Sequence, residues 1–148
     1  MPYTPTEHLL VEHDGPIVTI TLNNPTMMNA FLDDMHEGMR EIWWDLSEDD
    51  SVRAVIITGA GKGFSAGGDL SMVEEITRDY DTRVRVWREA RDIVYNVINC
   101  QKIIVSAMHG PAVGAGLVAG LLADISIAAK NARIIDGHTR LGVAAGDH

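Results

Sequence analysis

A layered α/β fold is what this sequence predicts. Three features carry that reading: short runs rich in β-branched residues, amphipathic helical stretches between them, and glycine-rich turns where a run ends. Residues 8–12 and 16–22 read as two strands with Asp14-Gly15 at the turn between them, a hairpin. Over residues 31–46, Phe31, Met35, Met39, Ile42, Trp43 and Leu46 recur at helical spacing among acidic residues, giving a helix with one apolar face. Ala54 to Thr58 is an apolar run that stops at Gly59, as a strand buried on both faces does. A second amphipathic helix fits residues 81–99, with Val84, Val86, Trp87, Ala90, Ile93, Val94, Val97 and Ile98 on its apolar side; Trp43, Trp44 and Trp87 are expected to pack. Ile103 to Met108 reads as another buried strand, residues 116–123 as a small-residue helix, and Ile125 to Ala129 as a further strand. The order β, β, α, β, α, β, α, β implies right-handed crossovers.

The 148 residues, 46% hydrophobic and 22% charged, suffice for one core, so residues 1–148 are expected to form one domain. Twelve Lys plus Arg against 21 Asp plus Glu give a formal charge of −9 with no basic run, which argues against a nucleic-acid partner. Cys100 is the one cysteine; it excludes a disulfide framework and a thiolate zinc cluster and fits a reducing, cytoplasmic setting. No metal site is expected. Every apolar stretch stops short of the ~18 residues of a membrane span, and the N-terminus lacks a basic-then-apolar leader, so no membrane partner is expected.

Chemistry is expected at two glycine-rich turns, Gly59 to Leu70 and Gly110 to Gly116, each following a buried strand. Glycine lets backbone amides approach a ligand, and a helix starting at the second turn adds its positive end. Two such turns from neighbouring strands can aim two N–H groups at one developing oxyanion. Gly114, Gly116 and Gly120, followed by Asp136, only loosely imitate a dinucleotide fingerprint, because the third glycine is displaced by one. Gly59-Ala60-Gly61-Lys62 lacks the spacer and the Ser/Thr of a phosphate loop. A nucleotide cofactor is therefore disfavoured.

Thr19 to Pro25, Asn29-Ala30-Phe31, Val52 to Gly61, Gly63 to Leu70, Val105 to Gly116 and Ala123-Asp124-Ile125 resemble, in order and spacing, the crotonase or enoyl-CoA hydratase/isomerase superfamily. The resemblance runs from about residue 8 to the end. It implies a ββα spiral of which this chain is the N-terminal core, without the C-terminal helices that complete the acyl pocket and the oligomer. It also implies an acyl-coenzyme A thioester as substrate, no permanently bound cofactor, and a homotrimer or homohexamer. By position, the two oxyanion-binding amides are those of Gly68 and Ala115; Lys62, Ala66, Gly67, Gly68, Asp69, Leu70 and Gly114 are the implied ligand contacts. Lys62 is the candidate for screening a phosphate, since Thr26, Met27 and Met28 stand where the family often has a basic residue. Asp69 is also suited to cap a following helix, and His109 to make a structural hydrogen bond.

The acid/base positions depart from the hydratase pattern. Val118 and His138 stand where a hydratase of this family carries its two water-holding glutamates. The chain offers Asp136, His138, Asp147 and His148 instead: histidine passes protons near neutral pH, and aspartate orients it or acts as base or nucleophile. Asp136 before Gly137 also fits a simple turn. Gly146-Asp147 resembles the crotonase-like hydrolases that cleave a C–C bond in β-diketones, although the second glycine turn, near Leu117 and Val118, lacks the histidine of that branch. The expected function is acyl-CoA chemistry through a stabilised thioester enolate. The alternatives are C–C hydrolysis using His138 and Asp147, and a catalytically idle acyl-CoA-binding or assembly subunit.

Overall fold

The computed structural model describes Tyr3, residues 5–138 and Gly142. Strands β1 (Leu9–Asp14) and β2 (Ile17–Leu22) form the expected antiparallel hairpin, closed by Gly15 in the left-handed region at φ 57°. From β2 onward the main sheet is parallel, through β3 (Ala54–Gly59), β4 (Ile103–Met108) and β6 (Ile125–Ala128), in the order β1-β2-β3-β4-β6. Short strands β5 (Pro111–Val113) and β7 (Arg133–Ile135) form a second parallel ladder. Single bridges extend that ladder: Phe31 to Gly68, and Ser65 to Ala112. Strands β2, β3 and β4 of the main sheet thus each hand the chain to a short extended segment before the next helix, which is the ββα spiral.

Helix α1 (Asp33–Glu48) opens with Asp33 and Asp34, whose charges suit the positive end of a helix. It buries Met35, Met39, Ile42, Trp43 and Leu46 in one cluster with Val18, Ile20, Leu22, Val55, Ile57 and Ile104 of the sheet. The face expected from periodicity is the face that packs, except that Phe31 lies two residues before the helix. Helix α2 (Leu70–Arg78) is the helix that Asp69 is suited to cap, although its span is not among the periodic segments; it buries none of its residues. Asp69 caps it by accepting from the Ser71 N–H, and Asp79 caps α3 (Tyr80–Asn99) by accepting from the Thr82 N–H at 2.6 Å. Helix α4 (Gly114–Leu121) starts at the second glycine turn, two residues earlier than expected.

The structure corrects several packing expectations. Trp44 is 60% exposed because α1 turns its neighbour Trp43 to the core, and Trp87, at 61%, and Ile98 are exposed because α3 turns Val86, Glu89, Ile93 and Val97 inward instead. Strand β6 is exposed along its length, since it is the last strand of the sheet and no described element covers it. Strands β5 and β7, three residues each, are too short for a periodicity to announce them.

Candidate active site

The two glycine turns meet. Phe31 N–H donates to the Gly67 carbonyl at 2.7 Å, and Asp69 N–H donates to the Phe31 carbonyl at 3.1 Å. In a trans peptide the C=O and N–H point in opposite directions, so the bond to the Gly67 carbonyl turns the Gly68 N–H away from Phe31. That amide has no acceptor among the described residues. On the other side of the seam, a Cβ placed on Gly114 would come 3.0 Å from the Gly67 Cα. Gly67 and Gly114 hold φ of 89° and 53°, conformations that side chains resist, and their lack of a Cβ is what permits this approach.

Helix α4 begins at that contact. Val113 provides no side-chain cap, so the first-turn amides, Ala115 among them, have neither an intrahelical acceptor nor a capping group. A preorganised pair of donors at a helix N-terminus suits an oxygen that gains negative charge.

Behind the seam lies a buried polar clamp that sequence reasoning missed. Asn29, fully buried at φ 56°, accepts from the Asn24 N–H at 2.8 Å through Oδ1, and its Nδ2 donates to the carbonyls of Ala60 and Gly63, both at 2.8 Å. Asparagine tolerates the left-handed region that this geometry needs. The available signal was a pair of asparagines, Asn24 and Asn29, flanking a proline just after a strand. Ser65, also fully buried, donates its hydroxyl to the Asn29 carbonyl at 2.9 Å and accepts from the Gly67 N–H at 3.1 Å.

Two of the acid/base candidates, Asp136 and His138, follow directly on the same ladder. Val113 pairs with Ile135, and a Cβ on Gly137 would rest 3.5 Å from Val113 Cγ1, so residues 136–138 run beside the start of α4. Asp136 Oδ1 accepts from the His138 N–H at 3.0 Å and lies 2.8 Å from His138 Nδ1. The aspartate therefore both makes the expected turn and orients the imidazole. Val118 is buried in α4. Asp147 and His148 lie outside the described residues.

Other candidates divide by exposure. Ala66 and Lys62 are exposed on the first turn, and Leu70 is exposed at the start of α2. Hydrogen bonds from the Ser71 hydroxyl and N–H outweigh partial burial and hold the Asp69 carboxyl below the usual carboxylate range. His109 Nε2 lies 3.2 Å from the Gly61 carbonyl, in keeping with a structural role. A groove of about 520 Å³ between α1 and α3 is lined by Arg40, Tyr80, Arg85 and Glu89, among others, and by none of the glycine-turn residues.

The sequence pattern of enoyl-CoA hydratases/isomerases matches residues 12–147. The chain belongs to the enoyl-CoA hydratase/isomerase family. It is 34% identical over 139 residues to the 1,2-epoxyphenylacetyl-CoA isomerase of Escherichia coli, covering 93% of this chain and 53% of that protein. It is 37% identical over 131 residues to a probable enoyl-CoA hydratase of Mycobacterium bovis, covering 84% and 46%. The crystal structure of an enoyl-CoA hydratase/isomerase from Mycobacterium paratuberculosis superposes with a TM-score of 0.94 at 40% identity, covering 98% of this chain and 58% of that one. The chain thus spans about half the length of the curated relatives it matches, and that half holds the crotonase-type spiral core. Among the described residues, no helix of this family member is long and apolar enough to cross a membrane.

Proposed function

We propose that the protein acts on acyl-coenzyme A thioesters, binding the thioester oxygen between the Gly68 and Ala115 N–H groups as it becomes an enolate. The bridge of Phe31 to Gly68 carries this reading, because it turns the Gly68 amide away from Phe31 and leaves it without an acceptor among the described residues, beside the packed Gly67–Gly114 seam. The names of the relatives, an acyl-CoA isomerase and enoyl-CoA hydratases, support the same substrate class. Thioester binding needs no net positive charge, since amides and a helix end supply the local field.

His138 is the proton-transfer candidate, with its ring oriented by Asp136 and Asp147 as a further base or nucleophile. Val118 is apolar and buried where a hydratase of the family holds water with a glutamate. Hydration of crotonyl-CoA is therefore expected to fall ~10²–10⁴ below that of a two-glutamate enzyme. His138→Ala and Asp147→Asn should each slow the true reaction by a similar ~10²–10⁴ while leaving ligand binding nearly unchanged.

The second reading, C–C hydrolysis of a β-diketone, draws on the pairing of His138 with Asp136. Incubation with crotonyl-CoA, and separately with a β-diketone lacking coenzyme A, decides between them. Binding and turnover confined to the thioester are expected. Turnover of the free diketone would favour the hydrolase, and thioester binding without turnover would favour the idle binder. Efficient hydration indifferent to His138 and Asp147 would overturn the proton-transfer assignment. By family resemblance the complete protein is a homotrimer or homohexamer, which light scattering would test.

A further inference from the structure

We infer that Ser65 is the positioning residue that sets both halves of the two-amide site, an inference that rests on the thioester reading above. Three groups of this one buried residue reach three different parts of the seam. Its Oγ accepts from the Gly67 N–H at 3.1 Å and donates to the Asn29 carbonyl at 2.9 Å. Its carbonyl accepts from the Val113 N–H at 3.0 Å, the residue immediately before α4. Its own N–H donates to the Pro111 carbonyl, also at 3.0 Å. Ser65 therefore touches the residue before Gly68 and the residue before the α4 turn at the same time.

The need for such a device follows from Gly67. A glycine at φ 89° has little intrinsic preference to stay there, so its two flanking peptides must be held from outside. The Phe31 N–H holds the Gly67 carbonyl, and the Ser65 hydroxyl holds the Gly67 N–H. With both fixed, the Gly68 amide has one direction. On the α4 side the Ser65 side chain lies where a Cβ on Gly116 would stand, so the helix turn carrying Ala115 rests directly on Ser65. Asn29 anchors the arrangement by gathering the carbonyls of Ala60, Gly63 and Phe64 around its Nδ2.

None of these contacts touches the ligand, so removing the hydroxyl should alter polarisation of the thioester and not its capture. The test is isotope-edited infrared spectroscopy of bound crotonyl-CoA, with its dissociation constant measured alongside. In the unmodified protein the thioester C=O stretch should move to lower frequency on binding. Ser65→Ala, with circular dichroism and thermal melting confirming the fold, should lose more than half of that displacement while its Kd stays within about twofold, because preorganisation of donors acts on developing charge more than on ground-state affinity. Ser65→Cys keeps a weak donor and acceptor at the same Cβ and should fall between the two. It also serves as the reporter should Ser65→Ala fail to fold. A full displacement retained in Ser65→Ala, or a Cys variant no better than Ala, would overturn the positioning role and leave the thioester reading standing. No displacement in the unmodified protein would overturn both.

Discussion

The seam between the glycine turns and the strip formed by β6, β7 and residues 136–138 are built in opposite ways. At the seam, buried Asn29 and Ser65 have their polar atoms bonded to backbone, and the carbonyls of Asn29, Gly63 and Gly67 are each taken by a donor. Along the strip, Ile125, Ile127 and Ile134 are exposed, and so is Asp136. The contrast shows which part of the backbone is fixed by many bonds and which by few. The backbone at the seam is held from several sides, whereas Asp136 and His138 follow a ladder of three residue pairs. Between those two extremes lies the core beneath the main sheet, which holds the seam in place.

The largest expected effect comes from that core. Trp43→Ala empties the volume of a fully buried indole packed under the sheet and should cost about 3–5 kcal/mol, read by urea unfolding. A cost below 1 kcal/mol would mean that the sheet and α1 are held mainly by something other than this cluster. Next is Gly68→Pro, which deletes the amide proposed to bind the thioester oxygen and should lower turnover by ~10²–10³ in a variant that circular dichroism shows to be folded. Retained turnover would place the thioester oxygen elsewhere and remove the functional half of the comparison.

How much of this was legible in the sequence depends on whether an element is held by periodic burial or by contacts between distant segments. Helix α1 could be read because Met35, Met39, Ile42 and Leu46 repeat at helical spacing and all reach the core. The main strands could be read because apolar β-branched runs end at glycine. Helix α3 is legible in span and in the centre of its apolar face, where Val86, Ile93 and Val97 reach the core, but the face is drawn too wide: Trp87 and Ile98 are exposed, and periodicity alone does not say where the buried stripe ends. The turns were located by their glycines, and family resemblance marked Gly68 and Ala115. Asn29 and Ser65 stayed hidden as a clamp because the bonds that join the two segments cross more than thirty residues of sequence and end on backbone atoms, which leave no residue pattern.

A smaller effect is expected at the α2 cap beside the seam. Asp69→Ala removes the acceptor for the Ser71 N–H and should cost about 1 kcal/mol. Because the folded carboxyl is held below its ordinary range, its contribution is present above the unfolded pKa of about 3.9 and is lost as pH falls through the lower folded value. Asp69→Asn keeps a capping oxygen, so its stability near pH 7 should stay close to that of the unmodified protein while its loss on acidification becomes shallower. An unchanged acid limb in Asp69→Asn would show that the carboxylate does not contribute through its charge.

The smallest effect is expected on the strip. Ile127 sits on β6, paired to Ala107 of β4 by backbone alone, and its side chain is 56% exposed. Replacing it with serine removes apolar surface that is already largely in water, so the transfer term that dominates at Trp43 is mostly absent. The strand keeps its backbone ladder, and serine's weaker strand preference is set against the relief of exposed hydrocarbon. In the 148-residue chain, Ile127→Ser should therefore change stability by no more than about 0.5 kcal/mol. The same substitution in a longer form that carries the rest of a typical relative's length should cost more if added chain covers β6, and the difference between the two forms measures that burial directly. Equal costs of 2 kcal/mol or more in both would mean that β6 is already packed within the 148 residues, which would erase the contrast between strip and seam.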